Sequence, residues 1–296
     1  MPEFGAKKVY KPQEKIFVSE ASICLRELAD TNQFKDGREE ELVQFVTSQP
    51  ELRNSPKDVI AAIDDFGRTR KYMMNIGEDK GRIVCDLIRE KRPATMVELG
   101  GYVGYSAILF GDTLREVGGH KYYTLERDEE FASVINRLID FAGLKDVVEV
   151  TNVPSDEGIK MLYDSGKMRH IDMMLLDHYK PAYVSDLKYC ESLGMIGKGT
   201  ILVADNVITP GNPPYLKYVR SSVEEKKVAM SQEVDAASFP EKSAAQYGQV
   251  EKARDDIQGN PNLVYRSRMV ESFEPTGDRD AIEITECDGL GFKHLD

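Results

Sequence analysis

Apolar positions along the chain follow two rhythms. Val59, Ile60, Ile63 and Phe66 recur at helical spacing behind Ser55-Pro56. That pair is a helix start: Ser as N-cap, Pro at the first helical position, Asp58 in the first turn. Upstream, Leu42, Val43 and Val46 predict a shorter helix. From about 78 to 206 the rhythm alternates. A helix over 81–91 precedes a strand at 95–99, and a glycine-rich turn leads into a helix from 105 to about 117. The next strand is 121–125. A helix from about 129 to 142 stops at Gly143, a natural C-terminal cap. Residues 147–151, 171–176 and 200–204 predict further strands with helices between them. Residues 263–270 and 281–286, joined by a Gly-containing turn, predict a hairpin at the sheet edge.

Alternating βα units imply a parallel sheet covered on both faces. The expected fold is therefore α/β: a doubly wound, mostly parallel seven-stranded sheet with an antiparallel edge strand and extra N-terminal helices. Two regions stand apart. Residues 1–54 read as a polar, partly helical extension, its basic start a mobile arm, and 55–296 as the main domain. Within that domain, residues 221–262 form a polar, charge-rich insertion without a repeat.

Composition narrows the function. The chain has 296 residues, 41% hydrophobic and 30% charged, with a formal net charge of −12. Such acidity argues against nucleic acid or an anionic membrane as partner, because a phosphate backbone demands clustered Lys and Arg. No apolar run is long enough to span a bilayer, and the first residues lack the apolar core of a signal peptide. Cys24, Cys85, Cys190 and Cys287 are far apart and form no CxxC pair. Zinc and disulfides are not called for, and a cytoplasmic location is expected. Oligomeric state is not fixed by these features; a monomer is the simplest expectation.

Four constellations carry chemistry. Glu98-Leu99-Gly100-Gly101-Tyr102-Val103-Gly104-Tyr105-Ser106 lies where the first strand meets a helix. Ligands of open α/β sheets bind at such carboxyl ends, and glycines let them approach the backbone. Glu126 ends the second strand, where an acid accepts hydrogen bonds from ribose hydroxyls. The pair suits an adenosine-containing cofactor, NAD or S-adenosylmethionine. Asp177-His178-Tyr179-Lys180 and Asp205-Asn206 follow two further strands. Asp177, Asp205 and Asn206 thus reach one edge of the sheet as an oxygen-only donor set suited to Mg²⁺. The bland alternative is strand-end acids capping helices. A lysine beside a divalent cation and out of bulk water has its ammonium form disfavoured, so Lys180 is a candidate general base. A solvated loop lysine is the alternative. His178 suits cofactor contact or packing better than metal binding.

These residues resemble the catechol O-methyltransferase family, closest to its fungal branch. The resemblance runs from about Val59 to Arg220 and more weakly through Glu286. It rests on Met74-Asn75-Ile76-Gly77 with Lys80-Gly81, ELGGYVGYSA at 98–107, FAGL at 141–144, LLDHYK at 175–180 and ADNVITPG at 204–211. It implies a Rossmann-like class I methyltransferase fold using S-adenosylmethionine and Mg²⁺ on a small-molecule catechol. Met74, Asn75 and Ile76 match the segment beside the cofactor's methionine part, and Met74 also borders the substrate. Glu98, Gly100, Tyr102 and Ser106 match the cofactor turn, Glu126 the ribose acid, and Ser155, His178 and Tyr179 further cofactor contacts. Asp177, Asp205 and Asn206 match the metal ligands and Lys180 the base. Tyr72, Asn206 and Pro210 match the catechol pocket. Tyr72 and Tyr179 stand where animal members carry Trp, and this chain has no Trp. Local alignment puts Arg279 where the family has an acid that meets the second hydroxyl, with Asp280 beside it and Glu274 upstream.

The implied reaction is in-line displacement on the sulfonium methyl, with Lys180 removing the hydroxyl proton. Alternatives are a caffeoyl-coenzyme-A-type enzyme, an NAD(P) dehydrogenase and an inactive cofactor-binding homologue. A dehydrogenase gives Asp177, Asp205 and Asn206 no common task.

Overall fold

The computed structural model describes residues 36–229 and 257–291. The basic start of the chain and the middle of the charge-rich insertion lie outside them. Helices α1 (Arg38–Thr47), α2 (Pro56–Thr69) and α3 (Gly77–Lys91) lead into β1 (Thr95–Leu99), α4 (Tyr105–Glu116), β2 (Lys121–Glu126), α5 (Glu129–Ala142) and β3 (Val148–Asn152). Then come α6 (Ser155–Asp164), β4 (Met173–Leu176), α7 (Ala182–Ser192), β5 (Ile201–Ala204), α8 (Pro213–Arg220), α9 (Val223–Ala229), β6 (Leu263–Phe273) and β7 (Arg279–Leu290). Among the described residues no helix is long and apolar enough to cross a membrane.

The seven strands lie in the order β3-β2-β1-β4-β5-β7-β6. The first five are parallel, and β7 runs antiparallel to both neighbours. β7 therefore sits inside the sheet and β6 forms the outer edge. Strand order reverses at β1/β4, where a doubly wound sheet opens a crevice. Backbone hydrogen bonds continue one residue beyond the strand ends: Gly100 N donates to Leu125 O, Asp177 N to Leu99 O and Asp205 N to Leu176 O, at 2.9–3.0 Å. These bonds set Gly100, Asp177 and Asp205 side by side on one rim.

Each face of the sheet carries its own apolar layer. Helices α1 to α5 cover one face, with Phe66, Ile88, Phe110 and Leu138 wholly buried. Helices α6 to α8 cover the other, with Leu162, Tyr183, Leu187 and Tyr215 inside. Leu42, Val43 and Val46 of α1 have no exposed surface and join the first layer. Each such burial contributes roughly 1.5–3 kcal/mol, which ties α1 to the same core as the sheet.

Several boundaries differ from the periodicity, each for a local reason. Strand 171–176 begins at Met173, because Asp172 turns aside and its Oδ2 accepts the Ala94 and Thr95 amides. Strand 200–204 begins at Ile201; the Thr200 hydroxyl instead donates to Ile171 O. Strand 147–151 shifts one residue on, because Val147 N closes a turn onto Leu144 O. The final hairpin extends to 11 and 12 residues through continuous pairing. Ser55 occupies the N-cap of α2, but its hydroxyl donates to the Asp58 carboxylate (2.6 Å) rather than accepting a backbone N–H.

Candidate active site

A cavity of about 1030 Å³ opens along the rim at the carboxyl ends of β1, β2, β4 and β5. Of the residues singled out from the sequence, all line it except Glu98, which is buried beneath it, and the late pair Arg279 and Asp280. The structure brings Tyr72, Met74, Asn75 and Ile76 to one wall. Gly100, Tyr102, Ser106, Glu126 and Ser155 form one end. Asp177, His178, Tyr179, Lys180, Asp205, Asn206 and Pro210 form the other.

The first end is made by backbone. Gly100 has φ +87°, and a Cβ there would come within 2.8 Å of Asp177 O and 2.9 Å of His178 Cα. Only glycine lets the β1 and β4 loops approach so closely. Glu126 braces this turn. Its Oε2 accepts the Gly101 and Tyr102 amides (3.0 Å each), and its Oε1 accepts Asp128 N (2.8 Å). Oε1 keeps a further lone pair. Tyr102 stands edge-on to Phe131 (5.0 Å) and donates its hydroxyl to Glu39 of α1 (2.9 Å). Glu98 is wholly buried, and neither of its oxygens has a hydrogen-bond partner. Burial pushes its carboxyl up to about 7, against the pull of nearby Ser106, Thr124 and Tyr122 hydroxyls and with a further push from Asp177.

The second end is made by charge. Lys180 Nζ donates to Asp177 Oδ1 (3.1 Å) and to Tyr183 Oη (2.8 Å), and Lys180 is 7% exposed. The amine is therefore not the solvated loop lysine of the alternative reading. His178 pairs with Asp186 (2.9 Å) and stacks on Tyr183. Asp205 Oδ1 accepts from Lys80 Nζ (2.6 Å) and from Asn206 N (2.7 Å). Asn206 adopts a left-handed backbone (φ 58°), and its side-chain NH₂ donates to Glu274 (2.7 Å) and Asp280 (3.2 Å).

The least expected feature is Lys80. Its side chain is fully buried and touches three carboxylates: Asp205 at 2.6 Å, Glu274 at 2.5 Å and Asp280 at 2.6 Å. These acids are also the group whose spacing would suit a cation, and the ammonium takes that role. Three carboxylates around one ammonium cannot all ionise cheaply. Burial, with repulsion from Asp205, outweighs the Lys80 attraction and pushes Glu274 up to about 8. Burial likewise pushes Asp205 up to about 6, Lys80 opposing and Asp177 adding to it. Burial works against Asp280 too, but Lys80 and the Glu274 hydrogen bond hold it below its ordinary value. Asp280 Oδ1 also accepts the Ile208 and Thr209 amides (3.0 and 2.7 Å), fixing the loop that carries Pro210.

The three late candidates take different places. Arg279 points away from the cavity, its side chain 73% exposed and paired with Glu271. Glu274 lines the cavity instead. The β6–β7 turn places position 274 over the rim and position 279 on the outer strand face. Sequence reasoning also missed Lys80 as a site residue and Tyr183 altogether. The available signal for Lys80 was a lone charge on the stripe formed by Val84, Leu87 and Ile88.

A family profile described as O-methyltransferase matches residues 63–237. Catechol O-methyltransferase of Bos taurus is 37% identical over 185 residues, covering 62% of this chain and 67% of that protein. The Mus musculus enzyme is 37% identical over 191 residues, covering 64% and 71%. Among solved structures, the O-methyltransferase TomG from Streptomyces achromogenes superposes with a TM-score of 0.51 at 15% identity, over 93% of this chain and 100% of that one. The O-methyltransferase of Bacillus cereus gives 0.50 at 18% identity, over 91% and 99%. At those identities the superpositions speak for the fold alone. With the profile spanning more than half of the sequence and the relatives matched over most of their length, the chain belongs to the O-methyltransferase family, among the catechol O-methyltransferases.

Proposed function

We propose that this protein transfers the methyl of S-adenosylmethionine to one hydroxyl of a catechol held at a magnesium site. The observation that carries the proposal is the convergence of Asp177, Lys180, Asp205 and Asn206 on one rim of the cavity. The residues fit such a cation. The Asn206 NH₂ is committed to Glu274 and Asp280, which leaves Oδ1 as its coordinating atom. Asp177 and Asp205 add carboxylate oxygens, and a hard, oxygen-only set favours Mg²⁺. The residues also fit the cofactor. Gly100 and Tyr102 offer a closely approachable backbone, Glu126 keeps one lone pair on Oε1 for a ribose hydroxyl, and Glu98 supplies an unpartnered buried carboxyl beneath the turn. Ser155 completes that end, with His178, Tyr179, Met74, Asn75 and Ile76 assigned as further cofactor contacts along the cavity.

When bound, the metal ion and the sulfonium cofactor supply Lewis acidity toward the hydroxyl and an electrophilic methyl. The protein's own part is acid–base chemistry and alignment. Lys180 Nζ takes the hydroxyl proton, held in place by Asp177 and Tyr183. Glu274 faces the cavity where a second hydroxyl would lie, its carboxyl pushed up by burial. Tyr72, Met74 and Pro210 wall the substrate side, and a bound substrate covering them would let oppositely charged reactants meet in a medium of low polarity. Asp280 fixes the Pro210 loop and so the position of that wall.

The test is methyl transfer from labelled S-adenosylmethionine to a panel of a free catechol, a monophenol and a catechol thioester of coenzyme A. The expected result is a mono-methylated catechol by mass spectrometry and little transfer to the monophenol. Preference for the thioester would reassign the substrate class, and no transfer to any acceptor would reject the activity.

A further inference from the structure

Tyr183 lies outside the cavity lining, yet it is the nearest hydrogen-bond partner of the proposed base. It has no exposed surface. Its hydroxyl oxygen receives the Lys180 Nζ hydrogen at 2.8 Å and directs its own hydrogen toward the backbone carbonyl of Asp205, 3.4 Å away. The ring is held from two sides: stacked on His178 (4.9 Å, 17°) and edge-on to Tyr215 (5.7 Å, 89°). The Lys180 backbone is fixed as well. Its carbonyl accepts Asn212 Nδ2 (2.9 Å) and Tyr183 N (3.2 Å).

A neutral amine has two hydrogens and one lone pair. In the neutral form that the base reading requires, the two hydrogens would have two oxygens to serve, Asp177 Oδ1 and Tyr183 Oη. The lone pair then takes a remaining tetrahedral direction, on the cavity side that Lys180 and Asp177 line. The Asp205 carbonyl matters in this arrangement. By drawing the tyrosine hydrogen, it keeps Tyr183 an acceptor toward the amine, so the hydroxyl does not occupy the lone pair.

Resting on the reading of Lys180 as base, we infer that Tyr183 is a positioning residue that aims the Lys180 lone pair at the substrate hydroxyl. In the step itself the substrate O–H bond breaks, its electron pair stays on oxygen, and a third N–H bond forms on Lys180. The ammonium so formed keeps its two existing hydrogen bonds and holds the new hydrogen toward the cavity. The aim is therefore the same before and after proton transfer.

The experiment compares Tyr183→Phe, Lys180→Ala, the double variant and Tyr215→Phe in the full chain. Tyr183→Phe keeps the ring and its stacking and removes only the hydroxyl. Tyr215→Phe removes a buried hydroxyl of the same aromatic cluster that has no hydrogen-bond partner. The expected result is a kcat about tenfold lower for Tyr183→Phe, equivalent to about 1.4 kcal/mol, with both KM values within twofold of wild type. Tyr215→Phe should keep wild-type kcat. The double variant should be no slower than Lys180→Ala, because residues acting through one group are not additive. Wild-type kcat in Tyr183→Phe, beside a slow Lys180→Ala, would overturn this inference alone. So would a further tenfold loss in the double variant, or equal losses of kcat and thermal midpoint in Tyr183→Phe and Tyr215→Phe. A Lys180→Ala enzyme at wild-type rate would overturn the base assignment itself.

Discussion

Two buried lysines, one near each end of the final hairpin, solve the same problem in opposite ways. At the cavity rim, Lys80 is surrounded by Asp205, Glu274 and Asp280. Burial opposes its charge, yet the three carboxylates hold its pKa well above the ordinary lysine value. At the far end, where β6 begins, Lys226 donates to Leu263 O (2.8 Å) and lies over the Tyr265 and Tyr218 rings at 4.0 and 5.3 Å. Burial lowers its pKa, with Glu191 opposing. Glu191 is satisfied there by the Tyr218 and Tyr265 hydroxyls (2.6 and 2.5 Å) and Asn260 N (2.8 Å). The first cluster surrounds a fixed cation with surplus negative charge. The second disperses its charges over rings, hydroxyls and amides. Concentrated, imperfectly balanced charge beside a cavity marks chemistry; dispersed and satisfied charge marks an anchor, here for the segment flanking α9 and β6.

The contrast can be broken in several places. The largest effect is expected at the rim: Lys180→Ala should lower kcat by about 10²–10⁴. Cofactor affinity by calorimetry should stay within a few-fold; parallel losses of both would make the residue a binding group instead. Next, Lys80→Met removes a buried cation and leaves its acids facing one another. A loss of about 3–5 kcal/mol is expected, read by denaturant unfolding together with turnover. A fully stable, fully active Lys80→Met would show that the rim needs no internal cation.

Glu98 is the case of a buried acid with no cation. Its carboxyl sits near 7 in the folded protein, above the ordinary 4.5. The folded state therefore holds a proton that the unfolded chain releases. Its unfavourable contribution is absent below about 4.5 and complete above about 7, so stability falls as pH rises across that window. Relative to wild type, Glu98→Gln should gain on the order of 2–3 kcal/mol between pH 5 and pH 8. A pH-independent difference would reject that assignment. The smallest effect belongs to the anchor. Lys226→Met should cost about 1–2 kcal/mol, since it removes one charge-assisted hydrogen bond rather than three close ion pairs. Its turnover should match wild type.

How much of this was legible in the sequence follows from the range of each interaction. The βα rhythm and the glycine turn are local, and so the mostly parallel sheet and the places of Gly100, Glu126, Asp177 and Asp205 at its strand ends could be read from spacing. Lys80 gave only the local sign of a charge on an apolar stripe, because its partners lie 125, 194 and 200 positions away. The sequence left Glu274, Arg279 and Asp280 undivided because the turn geometry that separates them is set by pairing across β6 and β7. Tyr183 could pass for an ordinary core aromatic; only the fold shows its hydroxyl beneath the Lys180 amine.

The most direct test of the central claim is turnover on a simple catechol with excess EDTA, followed by restoration of Mg²⁺. The account expects methyl transfer to vanish with the chelator and return with the metal, while cofactor binding by calorimetry persists throughout. Undiminished turnover in excess chelator would contradict a metal-assisted site at Asp177, Asp205 and Asn206.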